Sequence, residues 1–208
     1  MPKEKSEFLF NAIAPIYGLF YDWQKKGFVK VIEEMKPHID IGAYGSVLDV
    51  GCGTGALCSV LNEMGLSVTG IDPAVKMLNI AKGKPENQGV RFEVGNVLEG
   101  LPYPDDAFDL SISSFVAHGL VQSEREKMYA EMSRVTKSKV IIYDYNENRG
   151  LLTTIVEWAE GGDYFNFIKS TPKEMELCFT GLKRCFSQVQ VVHTGKRGAW
   201  YICTPSKG

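Results

Sequence analysis

No run of about 18 consecutive apolar residues occurs in the 208-residue chain, so no transmembrane helix and no membrane partner are expected. The opening MPKEKSEF has no apolar stretch of the signal-peptide kind, so secretion is not expected either. Paired cysteines are missing too. Cys52, Cys58, Cys178, Cys185 and Cys203 are odd in number and form no C-x-x-C. A zinc site or disulfide framework is therefore poorly supported, and reduced core cysteines in a cytoplasmic protein are the expectation. Lys and Arg number 23 against 25 Asp and Glu, a formal net charge of −2, which gives no field to draw in nucleic acid. There is no G-x-x-x-x-G-K-[ST], and Ser59 has no G-x-S-x-G setting, which argues against a P-loop enzyme and a hydrolase elbow. No internal repeat or low-complexity tract is visible.

What is present is ordinary globular composition, with 44% hydrophobic and 23% charged residues, enough for one domain with an appendage. Leu9, Ile13, Ile16 and Phe20 share a helix face that Pro15 should bend or interrupt. Phe28, Ile32 and Met35 form a second stripe, ending at Pro37. From residue 46 strands and helices alternate. Strands are expected at 46–51, 66–72, 89–95, 108–114 and 139–145. Helices follow on the stripes Ala56, Leu57, Val60, Leu61, Met64 and Ala74, Met77, Leu78, Ala81, with a polar connector from Lys82 to Gly89. Ser123 and Glu126 read as a capping box before Met128, Met132 and Val135. Thr171 and Glu174 read as another, with Pro172 at the first helical position. Residues 188–194 and 199–204 flank Gly195–Gly198 as an antiparallel hairpin. The pattern indicates an α/β, doubly wound, seven-stranded, mostly parallel sheet with that hairpin at its end. The domain reading is an N-terminal helical cap at 1–41 and a main domain at 42–208. Within it, residues 146–170, with Trp158, Tyr164, Phe165 and Phe167, are a candidate lid or substrate wall, or alternatively extra packing on the sheet.

The first strand runs into Gly51-Cys52-Gly53-Thr54-Gly55, and a helix follows. Glycines there allow a tight turn and close approach of the backbone to a ligand. Asp72 closes the second strand, placed to accept from both hydroxyls of a ribose; its structural alternative is a helix cap before Pro73. Two cofactor classes fit. Gly51, Gly53 and Ala56 satisfy the dinucleotide pattern, which leaves NAD open. Against it stand Asp49, which would repel a pyrophosphate but attract an ammonium, the G-x-G-x-G spacing, and the terminal hairpin.

VLDVGCGTG (47–55), GIDPAVKML (70–78) and GNVLEGLPYPDDAFDLSISSFVAHGL (95–120) together resemble the motifs of class I S-adenosylmethionine-dependent methyltransferases. The resemblance is close over 47–145 and architectural over 172–204. It implies a Rossmann-like methyltransferase fold and S-adenosylmethionine as cofactor. Gly51, Cys52, Gly53 and Gly55 would cradle its methionine part, Asp49 would hold the ammonium, and Asp72 would grip the ribose. Pro73 would lie against the adenine. Asn96 stands where many members have Asp, and a neutral hydrogen bond there contributes about 0.5–1.5 kcal/mol against about 1.5–3 for a charged one. The Val97 N–H would meet the adenine ring, and Phe115 would line the pocket. FNAIAPIYGLFYDW (10–23) loosely resembles the first helix of quinone-type methyltransferases. Ala14 and Tyr17 match A-x-x-Y-D, but Gly18 replaces the Asp. Tyr17 would cap the cofactor with its ring toward the sulfonium, or else simply pack on the sheet edge.

Methyl transfer asks the protein mainly to position a nucleophile, with a general base only where a proton must leave. His118, just after strand four, is the candidate base; the alternative is a structural histidine bonded to backbone. Tyr145 is the second catalytic candidate. With Asn146 it sits at the same sheet edge, to orient a substrate or only to shape the turn. His38 and His193 receive no role. The expected function is methylation of a small-molecule acceptor by a monomer or homodimer. The alternatives are an NAD(P)-linked oxidoreductase and a non-catalytic S-adenosylmethionine-binding module.

Overall fold

A computed structural model describes residues 11–146, 167–169 and 185–207, apart from Ile16 and Arg197. The chain divides into two compact units, Pro2–Glu99 and Gly100–Gly208.

In the first unit residues 11–15 and 17–19 are helical, and α1 (Tyr21–Met35) follows. Pro15 is itself helical, and the bend or interruption expected beside it concerns Ile16, which lies outside the described residues. A break falls at Phe20, whose N–H bonds Tyr17 O at 3.0 Å before α1. Then come β1 (Ser46–Val50), α2 (Ala56–Glu63), β2 (Ser67–Asp72), α3 (Val75–Lys82) and β3 (Arg91–Val94). β1 pairs parallel with β2, and β2 with β3. Val47, Leu48 and Val50 are buried, as a parallel strand covered on both faces requires. α3 has no side-chain cap of its own. Its first-turn donors are met from outside: Asn11 Oδ1 accepts the Lys76 N–H at 2.9 Å, and Asp72 Oδ1 accepts the Ala74 N–H at 2.7 Å. The Asn11 contact fastens the N-terminal helical segment to α3, where Ile13, Ala14 and Tyr17 pack with Ala74, Met77 and Ile80.

The second unit holds β4 (Phe108–Ser114), α4 (Gln122–Val135), β5 (Thr136–Tyr145), β6 (Phe186–Thr194) and β7 (Gly198–Pro205). β4 and β5 are parallel, whereas β7 is antiparallel to both β5 and β6. β5 starts at Thr136, three residues before the expected strand. Lys137 and Ser138 hid it, because they are exposed and sit at a bulge between Phe108 and Leu110 of β4. The capping box also moves. α4 begins at Gln122, and Glu124 reaches back to the Val121 N–H at 3.1 Å, while Glu126 instead accepts from Gln122 at 3.3 Å. Ser123 is thus inside the helix rather than its cap.

The segment before β4 is tied to α4 by Arg134. Its guanidinium donates to the carbonyls of Leu101 and Tyr103 at 3.1 and 2.8 Å, and to Glu131 and Asp105 at 2.9 Å each. The seven strands form one mixed sheet in the order β3-β2-β1-β4-β5-β7-β6, the α/β architecture with a terminal antiparallel hairpin that the sequence pattern indicates. The second capping box and residues 147–166 of the candidate lid lie outside the described residues. Among the described residues no helix is long and apolar enough to cross a membrane, and no group of His, Cys, Asp or Glu is placed to hold a metal ion.

Candidate functional site

The glycine turn leaves β1 and is held to the end of β2 by backbone bonds. The N–H groups of Gly51 and Cys52 both donate to Ile71 O, at 2.8 and 3.2 Å. Gly51, Gly53 and Gly55 have φ of 75°, 53° and 77°, in the left-handed region that side chains disfavour. Two of them have distinct surroundings. A Cβ at Gly53 would meet nothing within 4 Å, so this side of the turn is open to a ligand. A Cβ at Gly55 would stand 2.7 Å from Asn87 Nδ2 and 2.9 Å from Phe92 Cζ, so this side is packed into the unit.

Asp72 fastens the open side. Its Oδ2 accepts the Gly53 N–H at 2.9 Å, while Oδ1 holds Ala74. A carboxylate offers about four acceptor positions, and these bonds use two. The carboxylate is 8% exposed, and burial raises its pKa while the Ala74 and Gly53 N–H groups pull it down. Helix capping was the structural alternative for Asp72. The N-cap of α3 is instead Ala74, and Asp72 holds its N–H just ahead of the helix while also ordering the glycine turn.

Asp49 lies in β1, 1% exposed, and its Oδ2 accepts from the Cys58 thiol at 3.2 Å. Burial pushes its pKa up to about 7; the thiol bond opposes the shift and the charge of Asp72 adds to it. Burial likewise raises the Cys52 thiol to about 11, and Cys58 also rises. Both therefore stay protonated and unreactive near neutral pH. The two sulfurs crowd Gly70, where a Cβ would be 2.8 and 2.9 Å from them. Cys52, Cys58, Cys185 and Cys203 are buried and outside any disulfide, while Cys178 is outside the described residues.

Pro73 is half-buried after β2. Asn96 opens the 3-10 turn Val97–Glu99: its Oδ1 accepts the Leu98 N–H at 3.0 Å, and its backbone O accepts from Glu99 at 2.9 Å. Val97 is buried. Tyr17 is half-buried against the Ala14, Ala74 and Met77 cluster, which accords with its packing alternative.

The second unit carries Phe115, His118 and Tyr145. Phe115 follows β4 with φ 56°, rare for a residue with a side chain, and its N–H bonds Tyr143 O at 2.8 Å. Its ring is tilted onto Tyr143 and Tyr145, with centroids 4.7 and 5.2 Å apart. His118 sits in the 3-10 turn Ala117–Gly119. Its Nδ1 is 2.8 Å from Asp144 Oδ1, and its backbone N–H donates to Asp144 Oδ2 at 3.2 Å. The structural alternative for His118 was a bond to backbone; among the described residues its ring meets the buried carboxylate of Asp144. Tyr145 stands edge-on to the imidazole at 4.9 Å, and Phe167 lies at 6.4 Å. Asn146, buried, donates to Gly198 O at 3.1 Å and shapes the hairpin turn.

Asp144 is the residue that the sequence reading passed over. Its one signal is an acid in an otherwise apolar strand, KVIIYDY, close to the strand's carboxyl end.

A glycine turn open on one side and fastened to an acid at the end of β2 is the place in this α/β fold that could hold a cofactor. Comparison with known proteins says which class the fold falls in. Residues 48–143 match a family described as a methyltransferase domain. An ajmaline N-methyltransferase from Rauvolfia serpentina is 38% identical over 102 residues, covering 47% of this chain and 34% of that protein. A ubiquinone/menaquinone biosynthesis C-methyltransferase from Campylobacter jejuni is 31% identical over 158 residues, covering 67% and 62%. This chain thus spans less than two thirds of both relatives. A putative S-adenosyl-L-methionine-dependent methyltransferase from Methanococcus maripaludis superposes with a TM-score of 0.70 at 17% identity, over 95% of this chain and 94% of that one, a likeness of fold. Residues 48–143 carry a methyltransferase domain of the class I S-adenosylmethionine-dependent kind, the class for which S-adenosylmethionine is the cosubstrate. The open face of Gly53 and the two further acceptor positions on Asp72 fit that molecule.

Proposed function

We propose that the protein transfers the methyl group of S-adenosylmethionine to a small-molecule acceptor. The observation that carries this is the bond from the Gly53 N–H to Asp72, which joins an open backbone turn to a desolvated carboxylate aimed by two N–H groups. In this reading Asp72 holds the ribose hydroxyls, the Gly51–Gly55 backbone faces the methionine part, and Asp49 supplies the charge that draws its ammonium. Pro73, Asn96 and the Val97 N–H bound the adenine, with Tyr17 and Phe115 at the margins. When bound, the cosubstrate supplies the methyl electrophile and its thioether leaving group. The protein's work is to place the acceptor and, where needed, to take its proton, a role for which we assign His118, with Tyr145 beside it. The small-molecule class is supported by the relatives, one named for N-methylation of ajmaline and the other for a C-methylation in ubiquinone/menaquinone biosynthesis.

Calorimetry with S-adenosylhomocysteine tests the reading. Tight binding to the wild type is expected, with at least a tenfold loss in Asp72→Ala, because about 1.4 kcal/mol or more of charged hydrogen bonding disappears. Binding of NAD or NADP in place of the adenosyl ligand would overturn it in favour of the oxidoreductase. Binding without methyl transfer to any of a broad set of small acceptors would favour the non-catalytic module.

A further inference from the structure

We propose that the outer edge of β6 is a docking surface for a second copy of this chain, with β6 pairing antiparallel to the β6 of its partner about a two-fold axis at Gln190. This goes beyond the methyltransferase reading and holds whatever the acceptor is.

The sheet ends in β3 on one side and β6 on the other. An edge strand carries a row of unpaired N–H and C=O groups, which monomeric proteins blunt with short length, charge or proline. β3 is blunted in this way: it is four residues long and carries Arg91 and Glu93, which pair with each other. β6 is not. It runs for nine residues, Phe186–Thr194, without a Lys, Arg, Asp, Glu or Pro. At about 3.4 Å per residue that is an edge of about 30 Å. Its bulge lies at the start, between Phe186 and Gln188, and from Gln188 to Thr194 the strand pairs with β7 in unbroken register. Among the described residues no strand lies on its other side. Ser187, Gln188, Gln190, Val191 and His193 are exposed.

The residues of this edge indicate what covers it. In an antiparallel pair the outward N–H and C=O groups belong to every second residue, so a strand bonds its own copy only where each residue meets one of the same parity. One residue then faces itself on the axis. With the axis at Gln190, Val189 and Val191 of one copy stand opposite Val191 and Val189 of the other. Those four side chains share a face, because alternate residues point the same way. They make one apolar patch that covers Val191, which is 46% exposed in the single chain. An axis at Val189 would set Val191 against Ser187, and an axis at Val191 would set Val189 against His193. At Gln190 two side-chain amides meet, each able to donate to and accept from the other. A charged strand from another protein would find no counter-charge among the nine residues, whereas the chain's own copy needs none. One pair of edge strands is a small interface beside the roughly 1,200–2,000 Å² of stable complexes, so association in the micromolar range is expected.

The test is sedimentation velocity on the full chain from about 5 to 500 µM, a span that covers weak association. The proteins are the wild type, Gln190→Lys and Gln190→Glu, and the exposure of Gln190 lets both variants fold. A reversible monomer–dimer equilibrium is expected for the wild type. Each variant alone sets two like charges face to face on the axis and should associate at least about tenfold more weakly. An equimolar mixture of the two should regain association, as a heterodimer that weakens with added salt. Hydrogen exchange on the wild type needs no variant: protection should grow with concentration at alternate amides of β6. A wild type still monomeric at about 500 µM would overturn the proposal and leave the edge to an extended segment of another protein. A dimer that both variants keep unchanged would overturn it too, as would one that leaves exchange in β6 unaltered. A mixture no stronger than either variant alone would overturn the axis at Gln190.

Discussion

Replacing Asp49 by asparagine should make the stability of this protein less sensitive to pH and its cofactor affinity lower. The carboxyl is 1% exposed, and burial raises its pKa from 3.8 to about 7. In the unfolded chain it returns to the ordinary value. Between about pH 4 and 7 the folded protein therefore keeps a proton that the unfolded chain releases. Stability falls as pH rises through that window, and the full penalty is present above pH 7. A shift of about three units corresponds to about 4 kcal/mol, of which about 2–3 kcal/mol accrues between pH 5 and 8. Asparagine has the same shape, can still accept from the Cys58 thiol, and has no charge to desolvate.

The assay is urea unfolding of both proteins at pH 5, 6, 7 and 8. The wild type should lose about 2–3 kcal/mol more than Asp49→Asn across that range, since all other titrating groups are shared. The ligand adds a second sign. An ammonium beside Asp49 favours the carboxylate, so binding releases a proton where Asp49 was neutral. Affinity for S-adenosylhomocysteine should then rise from pH 6 to 8 in the wild type and stay flatter in the variant. Unfolding curves that differ by a constant amount from pH 5 to 8 would refute the buried-charge account. An affinity whose pH dependence survives in Asp49→Asn would place the ammonium contact elsewhere.

The two faces of the glycine turn should respond unequally to alanine. Gly53→Ala adds a methyl in open space and bears only the left-handed conformation, about 1–2 kcal/mol. Gly55→Ala bears that cost and drives a Cβ to within 3.0 Å of Asn87, Phe92 and Ala81, for about 3–5 kcal/mol in all. Equal urea midpoints for the two would contradict the distinction. Arg134→Lys should cost about 1–2 kcal/mol, because a single ammonium cannot reach Leu101, Tyr103, Glu131 and Asp105 together. A midpoint within error of the wild type would show that the segment before β4 is held by other contacts.

The strands, their alternation with helices and the glycine turn were legible because each depends on residues close in sequence. A short run with Val47, Leu48 and Val50 that ends in glycine has few other readings, and Asp72 lies one β-α-β step from the turn it serves. What was hidden depends on pairing over distance. Nothing in VAHG tells that the ring of His118 meets a carboxylate 26 residues later, and nothing in YDY tells that Asp144 takes three donors. The start of α4 was misplaced because S-x-x-E matches a capping box by pattern alone. Glu124 competes for the same role, and its carboxylate reaches the Val121 N–H. The first residues of β5 were missed for a different reason: a bulge lets a strand carry exposed Lys137 and Ser138 without showing alternation.

Asp72 and Asn96 show how the same kinds of internal bond leave different residues for a ligand. Asp72 spends one acceptor position per oxygen on Gly53 and Ala74, and a position on each oxygen remains for a diol. Its two N–H partners also lower the cost of keeping it ionised and fix its direction, so the ribose proposed above would meet an acceptor already desolvated and aimed. Asn96 commits its carbonyl to the Leu98 N–H, which orders the turn that presents Val97. Its amide contributes no charge, so the turn it builds matters more than its own bond to a base. Removing the Asn96 carbonyl should therefore act through the position of the Val97 N–H, whereas removing Asp72 strikes both the turn and the ligand contact. On the proposed reading, S-adenosylhomocysteine affinity should accordingly fall further in Asp72→Ala than in Asn96→Ala, as calorimetry would show, and equal losses would contradict it.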